Sequence, residues 1–170
     1  MSAGRRKARR TALFLLYQSD VTGAPLASLY DGDVDDYARS LAEAVVERAG
    51  DLDARITAAA EGWTADRLGA IERNVLRIAI HELDGDDVPA EVALNEAVEL
   101  AKRYASDEAA RLVNGILGRI QRDRAAWGSS VTSSRPRASS RRASRSSARL
   151  RLSSAVTAAA YRRPASREVR

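Results

Sequence analysis

The 170-residue chain contains no cysteine, which removes disulfides, a thiol nucleophile and thiolate zinc sites from consideration. Its single histidine limits metal chemistry further. His81-Glu82 opens like an H-E-x-x-H zinc motif, but position 85 is glycine and no second histidine can complete it. His81 is expected on an exposed helix face, where it is far from any nucleophile elbow that a Ser-His-Asp arrangement would need. No glycine-rich phosphate loop is present either, because Gly115 and Gly118 fall inside a helical pattern and no Walker lysine follows them. Asp86 and Asp87 read as part of a solvated acidic loop. These absences argue against an enzyme, and neither a cofactor nor a metal is expected.

Long apolar runs are missing too. Nothing approaches 18 consecutive apolar residues, so no transmembrane helix is expected. The run Leu13 to Leu16 behind a basic start is short for a signal peptide, and Gln18, Ser19 and Asp20 follow without a small-residue cleavage site. A soluble cytoplasmic protein is the expectation.

Acidic residues are scarce only toward the end of the chain, and the two parts differ in the sign of their net charge. Residues 1–120 hold 15 Lys and Arg against 21 Asp and Glu, a net of −6. Residues 121–170 hold 13 Arg against only Asp123 and Glu168, a net of +11. The basic balance of the whole chain therefore belongs to its end and says little about the folded part. Chain length suits one domain of ordinary size.

What is present is helical periodicity. Between Ile71 and Leu83 (IERNVLRIAIHEL), Ile71, Val75, Ile78 and Ala79 form one stripe and Leu76, Ile80 and Leu83 a second beside it. So wide an apolar arc predicts a core helix with other helices around it, leaving Arg73, Arg77 and His81 polar beside Glu72, Asn74 and Glu82. Upstream, a helix is expected over 4–20 with Ala8, Ala12, Leu15, Leu16 and Ser19 inward, broken by Thr22 to Pro25. A second is expected over 34–49 with Gly50 as its C-cap, and a third to about Glu61 capped by Asp51. Trp63 and the short turn after Thr64 read as scaffold. Downstream, Pro89 starts a helix to Ala105, and Ser106 caps a last one carrying Ala109, Leu112, Val113, Ile116, Leu117 and Ile120. Close approach of a neighbouring backbone is the expected offset for Gly115 and Gly118 within it.

The first helix carries the strongest charge signal. Arg5, Arg6, Lys7, Arg9 and Arg10 crowd its first turns, where the positive end of the helix dipole disfavours cations, so an anion is expected there. Arg6, Arg10, Leu13 and Tyr17 are spaced by four, three and four, which puts arginines and a tyrosine on one side over about 16 Å. Arginines would hold phosphates and Tyr17 would offer its ring to a base. Periodicity alone leaves open a frayed, solvated basic end with Tyr17 in the core.

After Gln121 the pattern collapses into Arg, Ser and Ala, so residues 1–121 are read as the helical domain and 122–170 as a low-complexity basic tail, expected to be disordered. Two readings stay open for it: a nonspecific nucleic-acid tail, or a shifted-frame read-through of G+C-rich DNA.

The segments RRKARR with the apolar run to Tyr17, IERNVLRIAIHEL, VPAEVALNEAVELAKRYA and LVNGILGRI together resemble the transcription antitermination family NusB, over residues 4 to about 120. The resemblance implies an all-α fold of two small three-helix bundles. It also implies binding to the boxA element of ribosomal RNA leaders, pairing with the ribosomal protein NusE, and entry into an antitermination complex on RNA polymerase. Carried over from the family, the RNA contacts are Arg5, Arg6, Lys7, Arg9, Tyr17, Lys102, Ser106, Glu108, Arg111 and Asn114; Arg10 joins them from the helix spacing. Glu72 is implied as the contact to NusE. Two other readings remain beside this one: an accessory module of a ribosomal-RNA methyltransferase, which would need a cofactor domain and a catalytic cysteine that the chain lacks, and a structural helical homodimer.

Overall fold

A computed structural model of the chain describes residues 3–30, 32–85 and 87–132. All of them belong to one of the chain's two units, Met1–Arg135; the second, Pro136–Arg170, lies outside the described residues together with most of the expected tail. Six α-helices and no strand occur among the described residues: α1 (Ala3–Thr22), α2 (Asp36–Glu47), α3 (Ala49–Ala59), α4 (Ala70–Asp84), α5 (Ala90–Tyr104) and α6 (Asp107–Thr132). Short 3-10 turns at Leu26–Ser28 and Ala65–Arg67 lie in the connections.

The arrangement follows from α4, the helix with apolar residues over the widest arc. It packs against each of the other five helices. On one side α1, α2 and α4 pack mutually as a three-helix bundle, and on the other α6 packs against both α3 and α5 over α4. Val75, Leu76, Ile78, Ala79, Ile80 and Leu83 are all buried. Each large aliphatic side chain so removed from water contributes about 1.5–3 kcal/mol.

Burial of α4 goes further than its sequence suggests, because Asn74, Arg77 and Glu82 are buried as well. Their partners come from other helices. Arg77 forms two parallel bonds to Asp53 of α3, both 2.7 Å, and donates to Asn74 Oδ1 at 3.1 Å. Asn74 in turn donates to Asp20 of α1 at 2.9 Å, and Arg73 reaches the same oxygen. A buried charge is tolerable only when paired and hydrogen-bonded in this way. His81 is not the exposed residue expected: it is half-buried, with Arg48 Nη1 3.3 Å from Nδ1. Burial, then the Arg48 charge, pushes its pKa below the ordinary histidine value. Asp84 nearby would be raised by burial, but hydrogen bonds from Arg55 (2.6 Å) and Arg48 (2.7 Å) outweigh that and hold it below the carboxylate range.

Helix ends show which local signals held. Asp35 caps α2 by accepting from Tyr37 N at 3.0 Å and Ala38 N at 3.2 Å, one residue after the expected start at Val34. Ser106 caps α6 as expected, its hydroxyl accepting from Ala109 N at 3.0 Å. Gly23 closes α1 with φ 71°, its N–H donating to Ser19 O at 2.8 Å, the left-handed conformation for which glycine carries no Cβ penalty. Gly50 does not cap α2, since the chain turns at Arg48 and Gly50 already lies inside α3, as does Asp51. Gly115 and Gly118 are not sites of close backbone approach either: a Cβ on Gly115 would meet open space, and one on Gly118 only the tip of Arg122. α6 also runs on to Thr132, so the first residues assigned to the tail are helical.

Candidate nucleic-acid interface

α1 separates its basic residues into two populations. At 100° per residue the inward arc runs through Leu15, Ala8, Ser19, Ala12, Leu16, Arg9 and Leu13, while Arg6, Tyr17, Arg10, Phe14 and Lys7 follow one another on the outward arc. Exposure matches this register, with Leu13 fully buried and Phe14 and Tyr17 at 43% and 39%. Leu13 is thus a correction to the expected exposed face: it lies just inside the boundary, and the core claims it.

Arg9 is the larger departure. Its side chain is 1% exposed, and its Nε donates to both oxygens of Glu82 at 2.8 and 2.9 Å. Glu82 also accepts from the Tyr37 hydroxyl at 2.7 Å. Burial first, and then this bond to Glu82, pushes the Tyr37 pKa from 10.0 to about 12. In this conformation Arg9 ties α1 to α4 and offers nothing to a ligand, so the contact implied for it by resemblance has no reachable side chain.

The outward arc faces α5 across a groove of about 450 Å³, to which α1 contributes Arg6, Lys7 and Arg10 and α5 contributes Glu96, Glu99, Arg103 and Tyr104. Arg6 is fastened to Glu96, with Nε 3.1 and 3.2 Å from its two oxygens and Nη2 at 2.9 Å. That hydrogen bond and the carboxylate charge raise the Arg6 pKa above its already high ordinary value. Lys7 and Arg10 have no ion-pair partner among the described residues. At the far end Phe14 and Tyr104 meet edge to face, ring centroids 5.0 Å apart, with Arg103 5.6 Å over the Tyr104 ring. The groove is therefore lined by cations, with the exposed Phe14 beside the partly buried Tyr104 at its end, a combination able to hold phosphates and stack a base.

The remaining expected residues lie around this groove or apart from it. Arg5 turns away, its Nη1 donating to Asp87 O at 3.2 Å and its guanidinium 5.5 Å over Tyr37. At the connection from α5 to α6, Lys102 stands 3.8 Å from Asp107, Ser106 is occupied as the helix cap, and Arg111 donates to Glu108 at 3.1 Å. The Glu108 pKa is lowered by its own backbone N–H, by Ser106 and by Arg111. Asn114 is exposed on α6. Glu72 at the head of α4 is partly exposed, its carboxylate folded over Gly69 at the helix start.

Sequence reasoning passed over Phe14, Arg103 and Tyr104. Phe14 lies four residues after Arg10, and Glu96, Glu99 and Arg103 form an i, i+3, i+7 polar stripe on α5, so both signals were available. A second groove lies where α6 meets the end of α3, beside Trp63, which the sequence reads only as scaffold. There Trp63 is 54% exposed beside Leu112 and the open flank of Gly115, with Arg119 bonded to Glu61.

Comparison with known proteins extends these observations. Residues 6–122 match the model of the NusB family. The transcription antitermination protein NusB of Rubrobacter xylanophilus is 46% identical over 120 residues, covering 66% of this chain and 86% of that protein. The solved structure of T. maritima NusB is similar with a TM-score of 0.64 and 33% identity over 72% of this chain and 94% of that one. Another, of antitermination factors NusB and NusE in complex with dsRNA, gives a TM-score of 0.63 at 29% identity, over 72% and 99%. With matched residues spanning α1 to α6 and the groove within them, the chain belongs to the NusB family.

Proposed function

We propose that this chain, a non-enzymatic transcription antitermination factor of the NusB family, binds the boxA element of ribosomal RNA leaders across the groove between α1 and α5. It does so together with NusE, which meets the face around Glu72. The pair then enters an antitermination complex on RNA polymerase, in the cytoplasm. The observation that carries this reading is the outward arc of α1: Arg6, Lys7 and Arg10 face Arg103 and Tyr104 of α5, and of these four cations Arg6 alone is paired with a carboxylate among the described residues. Residues 1–120 carry a net charge of −6, so RNA is repelled by much of this surface and drawn to basic clusters such as the groove between α1 and α5. A solved relative in complex with NusE and dsRNA supports both partners. Bases unpaired in a single strand are readable by Tyr17, Phe14 and Tyr104, whereas the deep groove of an RNA duplex is closed to side chains.

Fluorescence anisotropy of the full chain with labelled boxA RNA, a scrambled strand and a boxA duplex tests this, each with and without NusE. The boxA strand is expected to bind tightest, and NusE to tighten it. Four groove cations predict a contribution near −3 to the salt slope, at roughly −0.7 per phosphate, read as the slope lost when Arg6, Lys7, Arg10 and Arg103 are replaced together by alanine in the full chain. Failure of NusE either to bind or to tighten RNA binding overturns the proposal. Self-association through α1 without RNA binding would favour the homodimer instead.

A further inference from the structure

The pairing of Arg6 with Glu96 sets a problem for any anionic ligand, because an exposed arginine of the groove is already occupied. Its side chain is 73% exposed, while that of Glu96 is 9% exposed. A phosphate that takes Arg6 must displace a carboxylate and leave it poorly solvated, which is costly unless another cation receives it. Such a cation is adjacent. Arg9 Nη1 lies 3.9 Å from Glu96 Oε2, just outside hydrogen-bond distance. Both Arg9 Nη1 and Nη2 are buried with no acceptor, while its Nε is satisfied by Glu82. A buried guanidinium with two unused donors beside a carboxylate bonded elsewhere is an arrangement with a second, better-satisfied partner assignment.

We propose that Glu96 is an exchangeable counterion: it holds Arg6 in the free protein and, when a phosphate takes Arg6, turns inward to hydrogen-bond Arg9. This rests on the RNA-binding reading of the groove and adds a positioning residue to it. The exchange needs only side-chain rotation, since Arg9 Nη1 and Glu96 Oε2 are already 3.9 Å apart on helices that both pack against α4. It also favours ligands that can replace a carboxylate on a guanidinium fork, as a phosphodiester with two free oxygens does. In this assignment Arg9 contributes to binding without touching RNA.

The experiment measures boxA RNA affinity of the full chain against salt for Glu96→Gln, Glu99→Gln and Arg6→Ala, and for Arg6→Ala combined with each. Glu99 lines the same groove but bonds to no arginine, so Glu99→Gln reports the through-space effect of losing one negative charge. Glu96→Gln is expected to tighten binding about two- to fivefold, more than Glu99→Gln, with a slope steeper by about 0.7. Its excess over Glu99→Gln should vanish in the Arg6→Ala background, where Glu96 is already free to pair with Arg9, and leave only the through-space effect that the two substitutions share. Equal effects of the two substitutions that persist without Arg6 would reduce the pairing to simple repulsion. Weaker binding by Glu96→Gln would make Glu96 a fixed buttress, and either result overturns the exchange. In the wild-type chain, arginine side-chain NMR gives an independent readout: rotation of the Arg9 guanidinium should slow on saturation with RNA, and an unchanged Arg9 signal overturns the proposal. Inorganic phosphate serves as a second probe in that measurement, so a chain that binds no boxA RNA, which would sink the functional reading, still decides this one.

Discussion

Two regions of the molecule are built from the same chemical pair, an arginine and a carboxylate, and behave differently. On the polar edge of α4, Arg77, Asn74, Asp53 and Asp20 form a closed network, and Arg9 is held on Glu82. In the groove between α1 and α5, Arg6 is tied to one carboxylate while Lys7 and Arg10 are unpaired. Burial makes the difference. Withdrawn from water, an ion left without its partner costs several kcal/mol, so each buried arginine is held by a carboxylate, even at Arg9, where two nitrogens are left without an acceptor. At the surface, water screens an unpaired cation at little cost, and the chain can keep it for a ligand. Arg6 and Arg9, one turn apart on α1, stand on opposite sides of this boundary.

The sharpest way to break the comparison is to remove a partner on the buried side. Glu82→Ala strands Arg9 in the core and releases the Tyr37 hydroxyl, and chemical denaturation should record a loss of about 3–5 kcal/mol. A loss under 1 kcal/mol would show that the buried pairs are no more demanding than the exposed ones. On the groove side, Lys7→Ala with Arg10→Ala should leave the melting temperature within about two degrees. The same pair should weaken boxA binding and flatten its salt slope by about 1.4. Folding damage comparable to that of Glu82→Ala would make the outward arc structural.

A smaller effect is expected at Tyr37. Its folded pKa of about 12 lies above the ordinary 10.0, so the stability its protonated hydroxyl contributes is complete below pH 10 and is lost as pH rises toward 12. Tyr37→Phe should cost about 0.5–1.5 kcal/mol at neutral pH and flatten the alkaline fall in melting temperature; an equally steep fall in the variant would assign that loss elsewhere. Least of all, Gly115→Ala fills open space on α6. It should stabilise the free protein by up to about 1 kcal/mol in thermal melts, and destabilisation would show that the flank of Gly115 is not open.

Much of this was legible in the residues. The width of the apolar arc on α4, the Ser106 cap and the outward placement of Arg6, Arg10 and Tyr17 follow from helical periods and local hydrogen bonding, which depend on neighbours three or four apart in the chain. Less accessible were the corrections. Leu13 and Arg9 sit at or within the edge of an arc, where a few tens of degrees separate core from solvent, and a run of five basic residues disguises which of them turns inward. Gly50 has the right composition for a cap, yet the turn falls at Arg48, because α3 begins there.

The sequence by itself determined an all-α chain around one buried helix, an acidic folded part with a basic first helix, and membership of a family without enzymatic chemistry. Only the tertiary structure decided which charges are available. Glu82 lies 73 positions from Arg9 and Glu96 lies 90 from Arg6, and no local pattern encodes such pairings. They arise when α1 and α5 pack against α4, where the cost of burying an unpaired charge selects the partner for Arg9 and the solvent-facing groove leaves Lys7 and Arg10 without one.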